Sequence, residues 1–208
     1  MAAVALAAAT PFESSIAPLP ADVRVQLRHA HVWQPGCPVG LSELRLLTVT
    51  HRDFAGTPQT GQLVVNKRAA KPLVRVFRKL YRLYFPIRHL TLDDAYGQRS
   101  KRPDDHDVSG SFECRKAAAS PCTRADTTQS WSMHAFGLAV DLNPVENPYV
   151  GCGQSRDPRA RRYRDRRHHR RGMVTRHVVA AFASVGWGWG GSWTSNTKDY
   201  MHFSSTGH

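Results

Sequence analysis

The sequence predicts an α+β fold, a small antiparallel sheet with helices packed to one side, and three observations carry that expectation. Leu46-Leu47-Thr48-Val49-Thr50 and Gln62-Leu63-Val64-Val65 are runs of strand formers separated by a Gly56-Thr57-Pro58 break, so they read as an antiparallel hairpin. Leu73, Val76, Phe77, Leu80, Leu83 and Tyr84 recur at steps of three and four with basic residues between them, the stripe of an amphipathic helix ended by Pro86. Met173 to Val185 reads as a second helix, and Gly186 suits a left-handed cap at its end.

With 208 residues, one domain is the default, and its core needs neither metal nor disulfides to hold it together. Residues 1–36 are expected to be an apolar, signal-like start and a linker, and residues 37–208 a single domain. Met1 to Ala9 is almost all Ala and Val with one Leu, which fits the apolar part of a secretory signal lacking its basic leader, or a disordered Ala-rich start. No run reaches the roughly 18 to 20 apolar residues of a membrane span, so no transmembrane anchor is expected. A formal net charge of +13 predicts attraction to polyanions without choosing among nucleic acid, anionic lipid and an anionic wall.

Cys37, Cys114, Cys122 and Cys152 are even in number and contain no Cys-x2-Cys knuckle. Two disulfides in an oxidising compartment are expected, hence a secreted or cell-envelope protein, with buried free thiols as the alternative. Pairing Cys114 with Cys122 would close a short loop and leave Cys37 with Cys152, although four cysteines allow three pairings and the sequence selects none.

Residues from Asp93 to Ser130 are dense in Asp, Gly, Ser, Pro and Arg and read as an irregular segment. Gly137 to Leu142 is a short apolar run, a buried strand with Asp141 at its end and His134 in the turn that enters it. The segment Arg156 to Arg171 is the most basic and reads as a solvent-facing loop whose field would concentrate an anionic wall polymer or nucleic acid. Nucleic acid is set aside because no recognised motif accompanies the charge. His168-His169 is not read as a metal site, since the neighbouring Arg charges repel a cation. Trp187, Trp189 and Trp193 lie among glycines; Trp187 is expected in the core and Trp193 as a substrate-facing wall.

The chemistry is concentrated in Ser132-Met133-His134-Ala135-Phe136-Gly137-Leu138-Ala139-Val140-Asp141 and in Asp199-Tyr200-Met201-His202-Phe203. These stretches supply two imidazoles and two carboxylates, the inventory of a catalytic zinc site with three protein ligands and one open position. His134, Asp141 and His202 are assigned to Zn2+ and Asp199 to proton transfer. Taken singly, Asp141 reads as half of an ion pair and His134 as a satisfied core histidine; taken together they read as ligands. Residues three apart on a regular strand face opposite ways, so a bend or bulge between Asp199 and His202 is required, and the metal is expected on the sheet.

The spacing His-x6-Asp with a distant Asp-x2-His resembles the zinc D,D-carboxypeptidase and L-alanyl-D-glutamate endopeptidase family, which cuts peptidoglycan stem peptides. Asn143-Pro144, Asn147-Pro148-Tyr149 and Gly186-Trp187-Gly188-Trp189-Gly190-Gly191-Ser192-Trp193 extend the likeness to the endopeptidase branch. The resemblance implies a zinc metallopeptidase acting on a short wall peptide that contains a D-residue. The endopeptidase activity at L-Ala-D-Glu is expected, with D-alanyl-D-alanine carboxypeptidase and a non-catalytic zinc-containing wall-binding module as alternatives. It also implies that Arg115, in Phe112-Glu113-Cys114-Arg115, stabilises the developing oxyanion, with Arg99 as competitor. Ser132 either hydrogen-bonds substrate, as in the family, or shapes the turn. A monomer is expected.

Overall fold

The computed structural model describes residues 10–98, 102–119, 122, 129–155 and 157–208. The apolar start at residues 1–9, together with Arg99 and Arg156, lies outside the described residues.

Part of the stretch read as a linker is built into the fold. Strand β1 (Ser14–Pro18) pairs antiparallel with β2 (Leu44–Arg52), and helix α1 (Ala21–His29) buries Val23 and Leu27. The spacing of those two residues gives α1 one apolar side, which covers Leu44 and Val64 of the hairpin. The other arm of that hairpin is β3 (Pro58–Asn66), in antiparallel register from Leu44↔Asn66 to Arg52↔Pro58. Alternation sends Leu47, Val49, Leu63 and Val65 to the opposite face, so the hairpin is buried on both sides.

That second face is covered by α2 (Lys67–Arg82), whose Leu73, Val76, Phe77 and Leu80 are almost wholly buried. Each such side chain contributes about 1.5–3 kcal/mol of transfer free energy. The helix begins before the stripe read from Leu73, because Ala69 and Ala70 extend its apolar face and Asn66 caps it by accepting from Arg68 N at 3.1 Å. Beyond it, α3 (Leu92–Tyr96) places the Tyr96 hydroxyl 2.7 Å from the Phe112 carbonyl, to which it donates.

Downstream the strands are short. Those of the second sheet are β4 (Ala139–Asp141), β7 (Gly188–Trp189) and β9 (His202–Ser204), in the order β4-β9-β7. Strands β5 (Tyr149–Gly151), β6 (Gln154–Ser155) and β8 (Thr197–Asp199) form the third sheet, in the order β6-β5-β8. The mixed α and β character and antiparallel pairing agree with the sequence, with the pairing divided among three small sheets. Helix α4 (Arg176–Ala183) packs beside α2, and its Phe182 stacks on Phe203 of β9 with ring centroids 3.8 Å apart. The main core therefore runs from the hairpin through α2 and α4 to the strands that carry the site.

Two expectations are corrected. The disulfides are Cys37–Cys114 and Cys122–Cys152, not Cys114 with Cys122 and Cys37 with Cys152. Cys114 N donates to the Val32 carbonyl at 2.9 Å, which aligns that strand-like segment with the loop after α1 and brings Cys37 beside it. The basic segment is also not simply a solvated loop. Ala160 and Tyr163 are buried, and the half-buried Arg166 donates to the carbonyls of Glu146 and Val174 and stacks on Tyr200. Burial pulls the Arg166 guanidinium down to about 10.

Candidate functional site

A single turn of 3-10 helix, Met133–Phe136, presents the first imidazole. Ser132 caps it by accepting from His134 N at 3.3 Å, and Gly137 closes it at φ +64°. A Cβ on Gly137 would lie 2.7 Å from Asn66 N, the same nitrogen that donates to the Gly137 carbonyl at 2.8 Å. The Asn66 side chain adds a bond to the Phe136 carbonyl at 2.9 Å, so the end of β3 holds the turn. The chain then enters β4, which pairs with β9 so that Asp141 and His202 are directly opposite.

This places three groups at one point. His134 Nε2 is 3.2 Å from His202 Nδ1 and 3.2 Å from Asp141 Oδ2, and His202 Nδ1 is 3.1 Å from Asp141 Oδ1. Ligand atoms around a tetrahedral zinc with bonds of roughly 2.0–2.1 Å lie about 3.3 Å apart. A proton can bridge only two of these atoms at a time, whereas a tetrahedral cation serves all three, so the residues fit a metal ion and could hold one. His134 Nδ1 donates to the Ser111 carbonyl at 2.5 Å, which fixes the tautomer and leaves the Nε2 lone pair facing the cluster.

The electrostatics follow from burial and proximity. Burial alone would push the Asp141 carboxyl up, but His134 and His202 outweigh it and hold it well below the usual range. Burial works against a charged His134, and Asp141 overcomes it, so the imidazole is raised. Asp199 behaves in the opposite way: burial, then the negative charge of Asp141, push its carboxyl up to about 7 against His202 and Arg115. Its Oδ1 is buried with no hydrogen-bond partner among the described residues, and so is His202 Nε2.

The bend required between Asp199 and His202 is present. Asp199 ends β8 and His202 begins β9, strands of different sheets, with Tyr200 and Met201 turning the chain between them. Gly190 permits this close approach, since a Cβ there would meet the Asp199 carbonyl at 2.5 Å.

Two clefts open beside the cluster and share Arg115. The smaller, about 250 Å3, is lined by Ser132, Tyr149, Trp193, Asp199 and His202. The larger, about 790 Å3, is lined by His134 and Asp141 and by polar residues that include Arg102, His106 and Glu113. Arg115 Nε donates to Glu113 Oε2 at 2.8 Å. Burial opposes the Arg115 charge, yet Glu113, Asp141 and Asp199 together raise it. The Trp193 ring is tilted against His202 at 6.1 Å, with its indole N–H held by the Gly207 carbonyl. Trp187 is buried in the core, as its position suggested.

Sequence reasoning assigned no role to Glu113, to the Ser111 carbonyl or to Tyr149, which pairs in register with Asp199. Glu113 two residues before Arg115 was a readable signal; a main-chain acceptor from a distant loop leaves none.

Fold and site together define an α+β protein whose His-Asp-His group could hold a metal ion. Residues 125–205 match the family model described as D-alanyl-D-alanine carboxypeptidase, and this segment contains His134, Asp141, Asp199 and His202. It is therefore a segment similar to a peptidase family, in agreement with the resemblance read from the spacing; Ser111, Glu113 and Arg115 lie before it. No curated protein and no solved structure matches the chain. Among the described residues no helix is long and apolar enough to cross a membrane.

Proposed function

We propose that this chain is a zinc metallopeptidase of peptidoglycan stem peptides, acting as an endopeptidase at the L-Ala-D-Glu bond. The observation that carries the reading is the convergence of His134, Asp141 and His202 with the buried Oδ1 of Asp199 beside them. The endopeptidase branch is favoured by the presence of two clefts that share Arg115, because a substrate cut internally needs room on both sides of the bond. D-alanyl-D-alanine carboxypeptidase is the second reading, favoured by the description of the matched family. A non-catalytic wall-binding module is disfavoured by the presence of a proton-transfer candidate at Asp199.

In this reading His134, Asp141 and His202 are the metal ligands. A zinc ion held by them supplies Lewis acidity, which polarises a carbonyl and acidifies water. Asp199, with its carboxyl raised towards neutrality, takes a proton from the attacking water and delivers it to the leaving amine. Arg115, steadied by Glu113, faces the carbonyl oxygen as it gains charge. Trp193 forms an apolar wall for the substrate, and Ser132 shapes the ligand turn at the cleft edge. Two disulfides favour a secreted or cell-envelope location.

The test is metal content and digestion of purified wall for the parent, His202→Ala and Asp199→Ala. The parent is expected to hold about one zinc and to expose the amino group of D-Glu. His202→Ala loses the metal; Asp199→Ala keeps it and loses cleavage. Release of free D-Ala instead would establish the carboxypeptidase, and a parent without metal would overturn the reading.

A further inference from the structure

The formal charge of +13 is not distributed where the sequence places its densest Arg run. Much of that run is engaged within the fold. Arg159 pairs with Asp157, Arg167 and His168 with Asp165, Arg164 donates to the Gly153 carbonyl, and Arg166 is half-buried. Helix α2 differs: it has seven basic residues and no acidic one, and among the described residues only Lys67 has an acidic partner, Glu43 at 2.9 Å.

The basic positions are ordered as well as numerous. At 100° per residue, Arg68, Lys71, Arg75 and Arg82 fall within a stripe of about 60°, opposite the buried side of Leu73, Val76, Phe77 and Leu80. All four are exposed, and they span about 21 Å of helix. Directly after the C-terminal end of α2, Leu83 and Tyr84 line a groove of about 280 Å3 together with Arg171; the ring of Tyr84 is 64 % exposed and backed by Arg52 at 4.1 Å. No residue of α2 lines either cleft beside the metal-type cluster.

We infer that the outer stripe of α2, continued into the groove beside Tyr84 and Arg171, is a docking surface for the anionic phosphodiester polymer of a cell wall. Cations one helical turn apart match a polymer with regularly repeated charge, and an open aromatic face among them accommodates its uncharged units. The choice of a wall polymer over other polyanions rests on the peptidase reading; the complementarity itself does not. Such a surface would hold the enzyme on its insoluble substrate while leaving both clefts free.

Retention on purified wall, before and after removal of its phosphate polymer, tests the inference in the full-length protein. The variant Arg68→Gln, Lys71→Gln, Arg75→Gln, Arg82→Gln is expected to bind intact wall at least about tenfold more weakly, with a log-log salt slope smaller by about 3. The parent on stripped wall should match it. A control with the same charge removed from the basic run, at Arg159, Arg161, Arg167 and Arg170, should bind like the parent, and Lys at all four helix positions should restore binding and exclude a folding defect. Equal losses in helix and control variants would reduce the effect to net charge and overturn the docking surface, as would unchanged retention of the helix variant. Tighter binding to duplex DNA than to the polymer at the same salt would overturn the choice of ligand. Cleavage of a soluble wall peptide is measured separately: its absence, with retention intact, would sink the peptidase reading and leave the polymer site standing.

Discussion

Asp141 and His202 are register partners across β4 and β9, with the carboxylate 3.1 Å from the imidazole. Main-chain pairing therefore sets their separation, and a slip of either strand by one residue would turn its side chain to the opposite face and part the two groups. His134 reaches the same point by another route, a tight turn anchored on the hairpin. The site depends on the agreement of these two constructions.

Replacing Gly137 tests the second of them. Gly137→Ala forces a Cβ into a left-handed conformation and against Asn66 N, and is expected to cost about 1–3 kcal/mol of stability. Urea denaturation of the parent and the variant would measure it, and zinc affinity should fall in parallel. A variant of parental stability would mean that the turn relaxes without moving Asn66.

Arg115→Gln is expected to lower kcat by about 10²–10³ with metal content unchanged, the scale of losing one oxyanion donor. Arg115→Lys should recover only part, because an ammonium cannot hold Glu113 and the substrate with one planar fork. Steady-state kinetics on a soluble wall peptide distinguish this from a loss confined to KM.

Asp107 is not part of the metal-type cluster; it is buried beside Glu146 and paired with Arg88 at 2.8 Å. Burial, then the neighbouring Glu146, push its carboxyl up to about 7, so the folded chain binds this proton more tightly than the unfolded chain, where it titrates near about 4. The resulting stability is fully present below about pH 4 and is lost as pH rises through 7. Asp107→Asn cannot titrate, and its urea midpoints should vary less between pH 4 and 7 than those of the parent. Identical pH profiles would remove Asp107 as the source.

The pair Cys37→Ser, Cys114→Ser opens a loop of 77 residues and is expected to cost about 4 kcal/mol by chain entropy. Because Cys114 precedes Arg115, cleavage should fall more than metal binding does. Unfolding curves and zinc titration of the double variant would separate the two effects.

Much of this was legible in the chain because the periodicities are local. The hairpin, the apolar side of α2 and the need for a bend between Asp199 and His202 follow from alternation and helical spacing within a few residues. The candidate ligands could be nominated from spacing, yet their meeting depends on the pairing of β4 with β9, which joins positions 61 apart. The disulfides went unread for a related reason: a cysteine's partner is set by which segments lie side by side, and Val32 beside Cys114 has no signature in composition. The basic run misled because a dense charge pattern reveals nothing of how many of its members find carbonyls and carboxylates of their own fold.

Asn66 has a consequence for how the molecule opens. Its Oδ1 caps the largest helix, its Nδ2 holds the Phe136 carbonyl, and its main-chain N–H holds that of Gly137. Fraying of the first turn of α2 and release of the loop bearing His134 therefore belong to one cooperative event. Amide hydrogens at the start of α2 and in residues 134–137 should exchange with a common rate, and substitution of Asn66 should accelerate both by the same factor, so that a defect in a helix end is read out at the turn that carries His134.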